Sequence, residues 1–530
     1  MRDLHQPGRS VAQGAGGAAA TSHPLSTYIA LEVLRSGGNA IDAAITACSL
    51  QSVLEPHNTG IGGDCFALIW RADEQKLHAI NGSGWAPAGL DAARLKAAGE
   101  SEIALTSVHA ATIPGAVDAW SRLLADHGTR SLADVLAPTI DYAERGIVLA
   151  ERAATDWARE VEKLARDEGA CAHLLTPSGE APKAGDTIRF PALAKTLRIL
   201  AAEGRDAFYE GEIARMLVAS LNRLGGYHTL EDFAEFRSSY VTPISTRYRG
   251  VDCVQIPPSG QGLTTLVMLN ILSGFDIPRL DPVGADRFHL QIEASRLAYG
   301  VRDAYIADPA FGDVPVEELL SEGFATRLRE LIDPHRAMQA EPVVPRVHHQ
   351  DTVYLTVADK NGNVCSLINS LFHAFGTGKA CPQTGIAFQN RGAGFRVAEG
   401  HPNCVAPRKR PLHTIIPGMA MKNGKPWLSF GVMGGAYQPV GQVHVLQNLV
   451  DYGMDVQEAL DAPRGFRTAA AFEPERGIPA GVVEELARRG HPIRPCDAPW
   501  GGGQAILVDH VRGIYSAGSD PRKDGCALAL

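Results

Sequence analysis

The stretch 350-QDTVYLTVADKNGNVCSLINS-370 alternates its side chains like a β-strand, turns at Asn361-Gly362, and then enters a second strand-like run. Thr352 opens the first of these runs. It follows Asp351 and the uneven tract 341-EPVVPRVHHQ-350. Threonine is a good strand former, and that alone explains it at a strand end. Chemistry offers a second explanation. A threonine hydroxyl is a weak nucleophile until a nearby group accepts its proton. Cutting the chain before Thr352 would give the residue a free α-amine beside its own hydroxyl, and such an amine acts as a general base near neutral pH.

Composition narrows what this junction can serve. The chain has 530 residues, 45% of them hydrophobic and 21% charged, with a formal net charge of -9. A chain of this length buries a large core and has room for two or more domains. Mild acidity speaks against a nucleic-acid partner, which needs a concentrated basic face. Residues 1–24 lack the apolar centre of a secretory signal, and no apolar run reaches transmembrane length. A cytoplasmic protein without a membrane partner is therefore expected. Nine scattered cysteines form neither a disulfide framework nor a clustered zinc site, and they read as reduced thiols.

Outward from the junction, residues 24–56 read as two helical stretches broken at Ser36-Gly37-Gly38. A glycine turn and a strand follow in 59-TGIGGDCFALIW-70. A helical region spans about 115 to 215, strands alternate through 238–260 up to a Pro-Gly loop, and another helix covers 284–305. The pattern dissolves over about 333–351, the strongest linker candidate. Short β-like runs are expected at 384-TGIAFQNRGAGFRV-397 and 428-LSFGVMGG-435, then a helix at 441–454. Helices followed by short strands fit a layered α+β protein better than a series of separate domains.

Several motifs occur together in order: 36-SGGNAIDAAITACSLQSVLEPHNTGIGGDCFAL-68, 107-SVHAATIPGAVDAW-120, 257-PPSGQG-262, 293-EASRLAYGVRDAY-305, 352-TVYLTVADKNGNVCS-366, 376-GTGKACPQTGIAFQNR-391, 430-FGVMGG-435 and 516-SAGSDPRKDG-525. In these the chain resembles the gamma-glutamyltransferase (glutathione hydrolase) family of N-terminal-nucleophile hydrolases. The resemblance implies a precursor that cuts itself between Asp351 and Thr352. A large segment 1–351 and a small segment 352–530 would then stay associated in one four-layer αββα unit. It implies Thr352 as nucleophile, Ser370 as a supporting hydroxyl, and the backbone donors of Gly434 and Gly435 facing the oxyanion. The family's next two residues, Thr and His, are here Val353 and Tyr354. No metal and no organic cofactor is required, and a homo-oligomer is left open.

The family's substrate anchors fare differently. Ser83 stands where the family has a carboxylate-binding arginine, and Phe372 where an asparagine holds the amino-acid head. Arg391 replaces a Gln or Glu, Gly394 an ammonium-binding aspartate, and His413-Thr414 a pair of serines. Losing an acid and gaining Arg391 favours an anion over an amine, since a guanidinium grips a carboxylate through paired hydrogen bonds. His413 and Thr414 would add donors and Phe372 would narrow the space. The alternative is that Arg391 forms an internal ion pair while another arginine replaces the missing one. An oxamate amidohydrolase-like branch, acting on a small carboxylate-bearing amide, is thus expected. Action on γ-glutamyl compounds is the alternative, transfer to another amine stays open, and a non-enzymatic ligand-binding protein is a remote third. His57 and Asp64 read equally as structural groups or as neighbours of the cleft. His348-His349 lacks a spaced third metal ligand, and 408-RKR-410 is too short to signal nucleic acid.

Intact-mass analysis of the purified protein is predicted to find two associated fragments meeting at Asp351/Thr352, and Thr352→Ala a single chain. Active wild type that stays at full length would refute the N-terminal-amine chemistry.

Overall fold

The computed structural model describes residues 8–339 and 352–530. Within them the strands that build two sheets are, in chain order, β1 (Ala12–Gly14), β2 (Gly17–Thr21), β3 (Asp64–Arg71), β4 (Lys76–Gly82), β5 (Ser239–Tyr240), β6 (Ile244–Tyr248) and β7 (Val251–Gln255). After residue 352 come β8 (Val353–Asp359), β9 (Val364–Ser370), β10 (Gly418–Lys422), β11 (Lys425–Met433), β12 (Gly502–Asp509), β13 (Ile514–Ser519) and β14 (Cys526–Ala529). One sheet has the order β14-β2-β8-β9-β3-β4-β5 and the other β1-β13-β12-β11-β10-β7-β6. All their pairings are antiparallel. Each sheet is built from strands that lie on both sides of residue 352.

The 352–370 stretch folds as the hairpin β8–β9, with Val353 opposite Asn369 and Ala358 opposite Val364. Every residue of both strands is buried. The alternation in the sequence therefore separates two cores, not core from solvent. Val353, Leu355 and Val357 point to the helical side, with Cys65, Ala67 and Ile69 of β3. Tyr354 and Ala358 point the other way, toward Met419, Ile506 and Val508 of the second sheet.

Helices cover the outer faces and complete four layers, αββα. Helices α1 (Pro24–Arg35) and α2 (Ala40–Leu54) flank the Ser36-Gly37-Gly38 break, where Gly37 takes φ 92°. Asn39 and Asp42 form a capping box that starts α2. Helix α2 is buried all round, which explains its Ala-rich, non-amphipathic sequence, and it packs beneath β8 and β9. Helix α3 (Ala116–His127) covers β3 and β4. On the second sheet lie α4 (Gly262–Ser273), α5 (Ala285–Tyr305), which packs on α4, and α6 (Gln438–Val450). No helix among the described residues is long and apolar enough to cross a membrane.

One expected element is corrected. The β-like run 384–397 forms no strand: it makes an isolated bridge between Ala380 and Ala387 and a 3-10 turn over Arg391–Gly394. Its polar side chains bond to other segments, with Asn390 accepting from the His373 N–H at 3.1 Å and donating to the Leu105 carbonyl at 3.0 Å. Of the expected linker, residues 333–339 are pinned by an Asp333–Arg336 bridge and an Ala337 N–H bond to the Arg489 carbonyl. The remainder, with Asp351 and His348-His349, lies outside the described residues.

The two sheets meet tightly at Gly431 of β11. A Cβ built there would lie 2.5 Å from the ring of Tyr354. That ring is fully buried and its hydroxyl is tied to Ser366 at 2.8 Å. Gly431→Ala is therefore predicted to destabilise the fold by about 1–3 kcal/mol in denaturant titration. Trimming the ring in Gly431→Ala/Tyr354→Val should recover part of that loss, and simple additivity of the two changes would contradict the contact.

Candidate active site

Register brings four polar residues into one line across the first sheet. Ser370 pairs with Asp64 directly. Continuing the β8–β9 ladder by one residue sets Thr352 opposite Ser370, and continuing β3–β4 sets Asp64 opposite Ser83. Neighbouring strands lie about 4.8 Å apart, so Thr352, Ser370, Asp64 and Ser83 form a row at one end of the sheet. By the period of two, all four share the face of Tyr354, Ile368, Phe66 and Ala79, which is turned toward the second sheet.

The second sheet supplies the facing wall. Tyr354 lies against Gly431, and Thr356 bonds Ser429 across the sheets at 2.6 Å. These two contacts fix β8 antiparallel to β11 and bring Thr352 level with Met433. Gly434 and Gly435 follow at that same end, with φ of 123° and 55°. Both values lie in the region where a side chain is disfavoured, so glycine is needed here by conformation. Gln261 anchors the turn, donating through Nε2 to the carbonyls of Gly435 and Thr414, each at 2.8 Å.

Thr352 is fully buried, and its Oγ1 lies 3.1 Å from Ser370 Oγ. The Phe372 N–H donates to Ser370 Oγ at 2.8 Å. Phe372 has φ 83°, a strained conformation for a bulky residue that this bond helps to hold. Its ring is thereby set against Arg391, whose Cζ sits 4.0 Å from the ring centroid. Arg391 donates to Thr414 Oγ1 at 2.7 Å and to Ser370 Oγ at 3.5 Å. It is fully buried, and its Nε has no partner among the described residues. Burial pushes its pKa down to about 9, opposed by Asp64, so the guanidinium stays charged at neutral pH. No carboxylate among the described residues reaches it at ion-pair distance, so the internal ion pair entertained for Arg391 is absent from this part of the chain.

Asp64 organises the other half of the site. Its Oδ1 accepts from the Gly84 and Gly115 N–H groups at 3.0 and 3.2 Å and from Gln389 Nε2 at 2.9 Å. Its Oδ2 lies 2.8 Å from His413 Nε2. Burial, then the nearby Arg391, lowers the His413 pKa to about 4, so this imidazole is neutral at neutral pH. The Ile415 N–H approaches Nδ1 at 3.5 Å, which leaves Nε2 as the donor to Asp64. His413 is therefore engaged, and the expectation that it donates to a substrate anion is corrected: it positions Asp64. Thr414 instead meets Arg391.

The remaining sequence candidates fall around this centre. Ser83 is buried and donates its hydroxyl to Asn81 Oδ1 at 2.7 Å. Arg410 reaches Ser83, donating through Nε to its carbonyl at 3.0 Å. In the rest of 408-RKR-410, Arg408 pairs with Glu235 at the surface and Lys409 bonds the Pro402 carbonyl at 2.6 Å. Gly394 lies in the 3-10 turn beside the Leu412 carbonyl. His57 supports the loop after β9 from behind, its carbonyl accepting from the Phe375 N–H at 2.8 Å. Gln261 and Gln389 escaped sequence reasoning, because an isolated glutamine carries no local signal. Both lie within motifs that carry the family resemblance.

The family model for gamma-glutamyltranspeptidase matches residues 26–530. The chain is a member of the gamma-glutamyltranspeptidase family. It is 36% identical to the "Glutathione hydrolase-like YwrD proenzyme" of Bacillus subtilis, over 96% of this chain and 97% of that protein. Identity to the "Oxamate amidohydrolase proenzyme" of Klebsiella pneumoniae is 34%, over 96% and 98%. Among solved structures, the cephalosporin acylase from Bacillus halodurans superposes with a TM-score of 0.93 at 40% identity, covering 100% of this chain and 98% of that one. This member of the family is accordingly a hydrolase with the α+β N-terminal-nucleophile fold.

Asp64→Asn is predicted to cost about 3 kcal/mol or more of stability in urea titration. The change keeps the shape, sets an amide N–H against His413 Nε2–H, and leaves Arg391 without its nearest anion. An unchanged unfolding midpoint would show that the carboxylate charge is dispensable.

Proposed function

We propose that this family member is an N-terminal threonine amidohydrolase acting on small amides that carry a carboxylate, of the oxamate type. The observation that carries the proposal is Arg391: a buried, charged guanidinium without a carboxylate in direct reach among the described residues, touching the same Ser370 that touches Thr352. A buried cation left uncompensated is costly, so a substrate carboxylate that pairs with it gains both energy and orientation. Phe372 limits the length of such a substrate, and Thr414 and Ser370 hold the guanidinium plane.

After cleavage before Thr352, the freed α-amine takes the proton of Oγ1, and the oxygen attacks the amide carbon. The carbonyl π pair moves onto oxygen, forming an oxyanion that the backbone donors of Gly434 and Gly435 stabilise. Collapse reforms the carbonyl and breaks the C–N bond, and the Thr352 ammonium returns its proton to the leaving nitrogen. Water, deprotonated by the same amine, then adds to the acyl-threonine ester; collapse breaks the acyl C–Oγ1 bond, the ammonium returns its proton to Oγ1, and the acid is released. An amine entering in place of water gives transfer.

Arg410 beside Ser83 favours a second reading, in which it replaces the family arginine and a γ-glutamyl carboxylate binds there. Hydrolysis of oxamate, short dicarboxylic monoamides, glutathione and a γ-glutamyl anilide, measured side by side, separates the two. The small carboxylated amides are expected to show the higher kcat/KM, and Arg391→Gln is expected to remove most of that preference. Strong glutathione turnover that survives Arg391→Gln but not Arg410→Gln would support the second reading and overturn the first.

A further inference from the structure

Strand β3 begins at Asp64 in the active-site row and ends at Arg71, roughly 23 Å away at about 3.3 Å per residue. At that far end three potential ligands converge: Glu74 in the β3–β4 turn, His78 on β4 and His127, the last residue of α3. Their ligand atoms all lie within 4.8 Å of one another. His78 Nε2 is 2.8 Å from Glu74 Oε2, and the two imidazole centroids are 4.6 Å apart. A Glu–His hydrogen bond at a surface turn would be unremarkable alone. His127 makes the difference: it is 7% exposed, and neither of its ring nitrogens has a hydrogen-bond partner among the described residues. Buried polar groups are nearly always satisfied, so an imidazole orphaned at both nitrogens calls for a missing ligand.

We propose that Glu74, His78 and His127 bind one divalent transition-metal ion of the zinc class, with water completing the coordination. Two imidazoles and a carboxylate form a borderline-soft set that suits zinc and its neighbours, not magnesium or calcium. Ligand atoms around a tetrahedral zinc sit roughly 3.4 Å apart at ordinary bond lengths, within reach of small side-chain rotations here. His127 offers both ring nitrogens, neither of which has a hydrogen-bond partner among the described residues. His78 binds through Nε2 by shifting its proton to Nδ1, so no net proton need be released. Arg71 is the competing cation: its Nε lies 3.8 Å from Glu74 Oε1, but Asp73 binds it more closely at 2.8 Å and its Nη1 is spent on the His127 carbonyl. Asp126 accepts the Tyr240 hydroxyl and faces Arg122 at 3.8 Å. Three carboxylates thus face two guanidiniums, leaving the locality negative. A cavity of about 570 Å³, lined by Arg71, Asp73, Asp126 and His127 among others, reaches the His127 side of the cluster.

The ion would join the β3–β4 turn to the end of α3. Those two elements start at Asp64 itself and just after Gly115, whose N–H binds Asp64. Its role is thus a clamp behind the active site and takes no part in the chemistry at Thr352. The sequence shows no compact metal motif because the ligands stand at 74, 78 and 127.

The test uses full-length protein stripped with EDTA, dialysed and titrated with Zn²⁺, with Co²⁺ as the optical probe. One zinc per chain after gel filtration, tetrahedral-type Co²⁺ visible bands and a zinc-dependent rise in Tm are expected. His78→Gln and His127→Asn should each weaken binding at least about tenfold. Because His127→Asn alters a buried site, the half-exposed Glu74→Gln serves as a second variant, expected to weaken zinc while leaving metal-free Tm unchanged. The double variant His348→Ala/His349→Ala should bind as wild type does. Absence of stoichiometric zinc, wild-type affinity in both His78→Gln and Glu74→Gln, loss of binding in the His348/His349 variant, or Mg²⁺ binding equal to zinc would each overturn the proposal.

Discussion

A carboxylate sealed from water must have its charge answered by the protein, and the whole candidate site is arranged around one such group, Asp64. Two backbone N–H groups, a glutamine amide and a neutral imidazole converge on its oxygens. Each donor comes from a different part of the chain: the end of β4, the approach to α3, the loop at 389 and the segment at 413. Folding that carboxylate correctly therefore assembles the site's walls. The positions on either side of it in the cross-strand row, Ser370 and Ser83, inherit their places from the register it sits in.

The same charge explains how Arg391 can be tolerated. A guanidinium fully out of solvent with only hydroxyl partners is expensive, and Asp64 offsets part of that cost through space. His413, bonded to Asp64, stays neutral, and Asp64 and Arg391 are not directly paired. A directly bonded pair would have been more stable and chemically inert. Separation leaves the cation with unspent capacity beside Ser370 and Thr352.

Much of this was legible in the amino-acid order, for identifiable reasons. The helices at 24–35 and 40–54 and the strand ending at Met433 announce themselves through periodicity and glycine punctuation. Thr352 and Gly434-Gly435 lie in motifs whose order along the chain carries the family resemblance, and Ser370 follows just after the first of them. The 384–397 run misled because alternation specifies a strand only where a neighbouring strand completes its hydrogen bonds. His413 misled because a residue type states what it can donate, and only tertiary contact states to whom. The departures at Ser83 and Arg391 were visible as residues, whereas the reach of Arg410 to the Ser83 carbonyl depends on contacts across 327 positions.

That each sheet draws strands from both sides of residue 352 has a consequence for reversibility. While the backbone is continuous, unfolding and refolding are unimolecular, and dilution does not matter. Once the chain is cut at that junction, neither piece retains a complete sheet, and recovery from denaturant becomes an encounter between two chains, each with exposed β-edges. At low concentration that encounter is slow and competes with aggregation. The cut enzyme's lifetime would then be set by how slowly it unfolds, not by how well it refolds. A single hydrolysed peptide bond would convert a molecule governed by equilibrium into one governed by a clock.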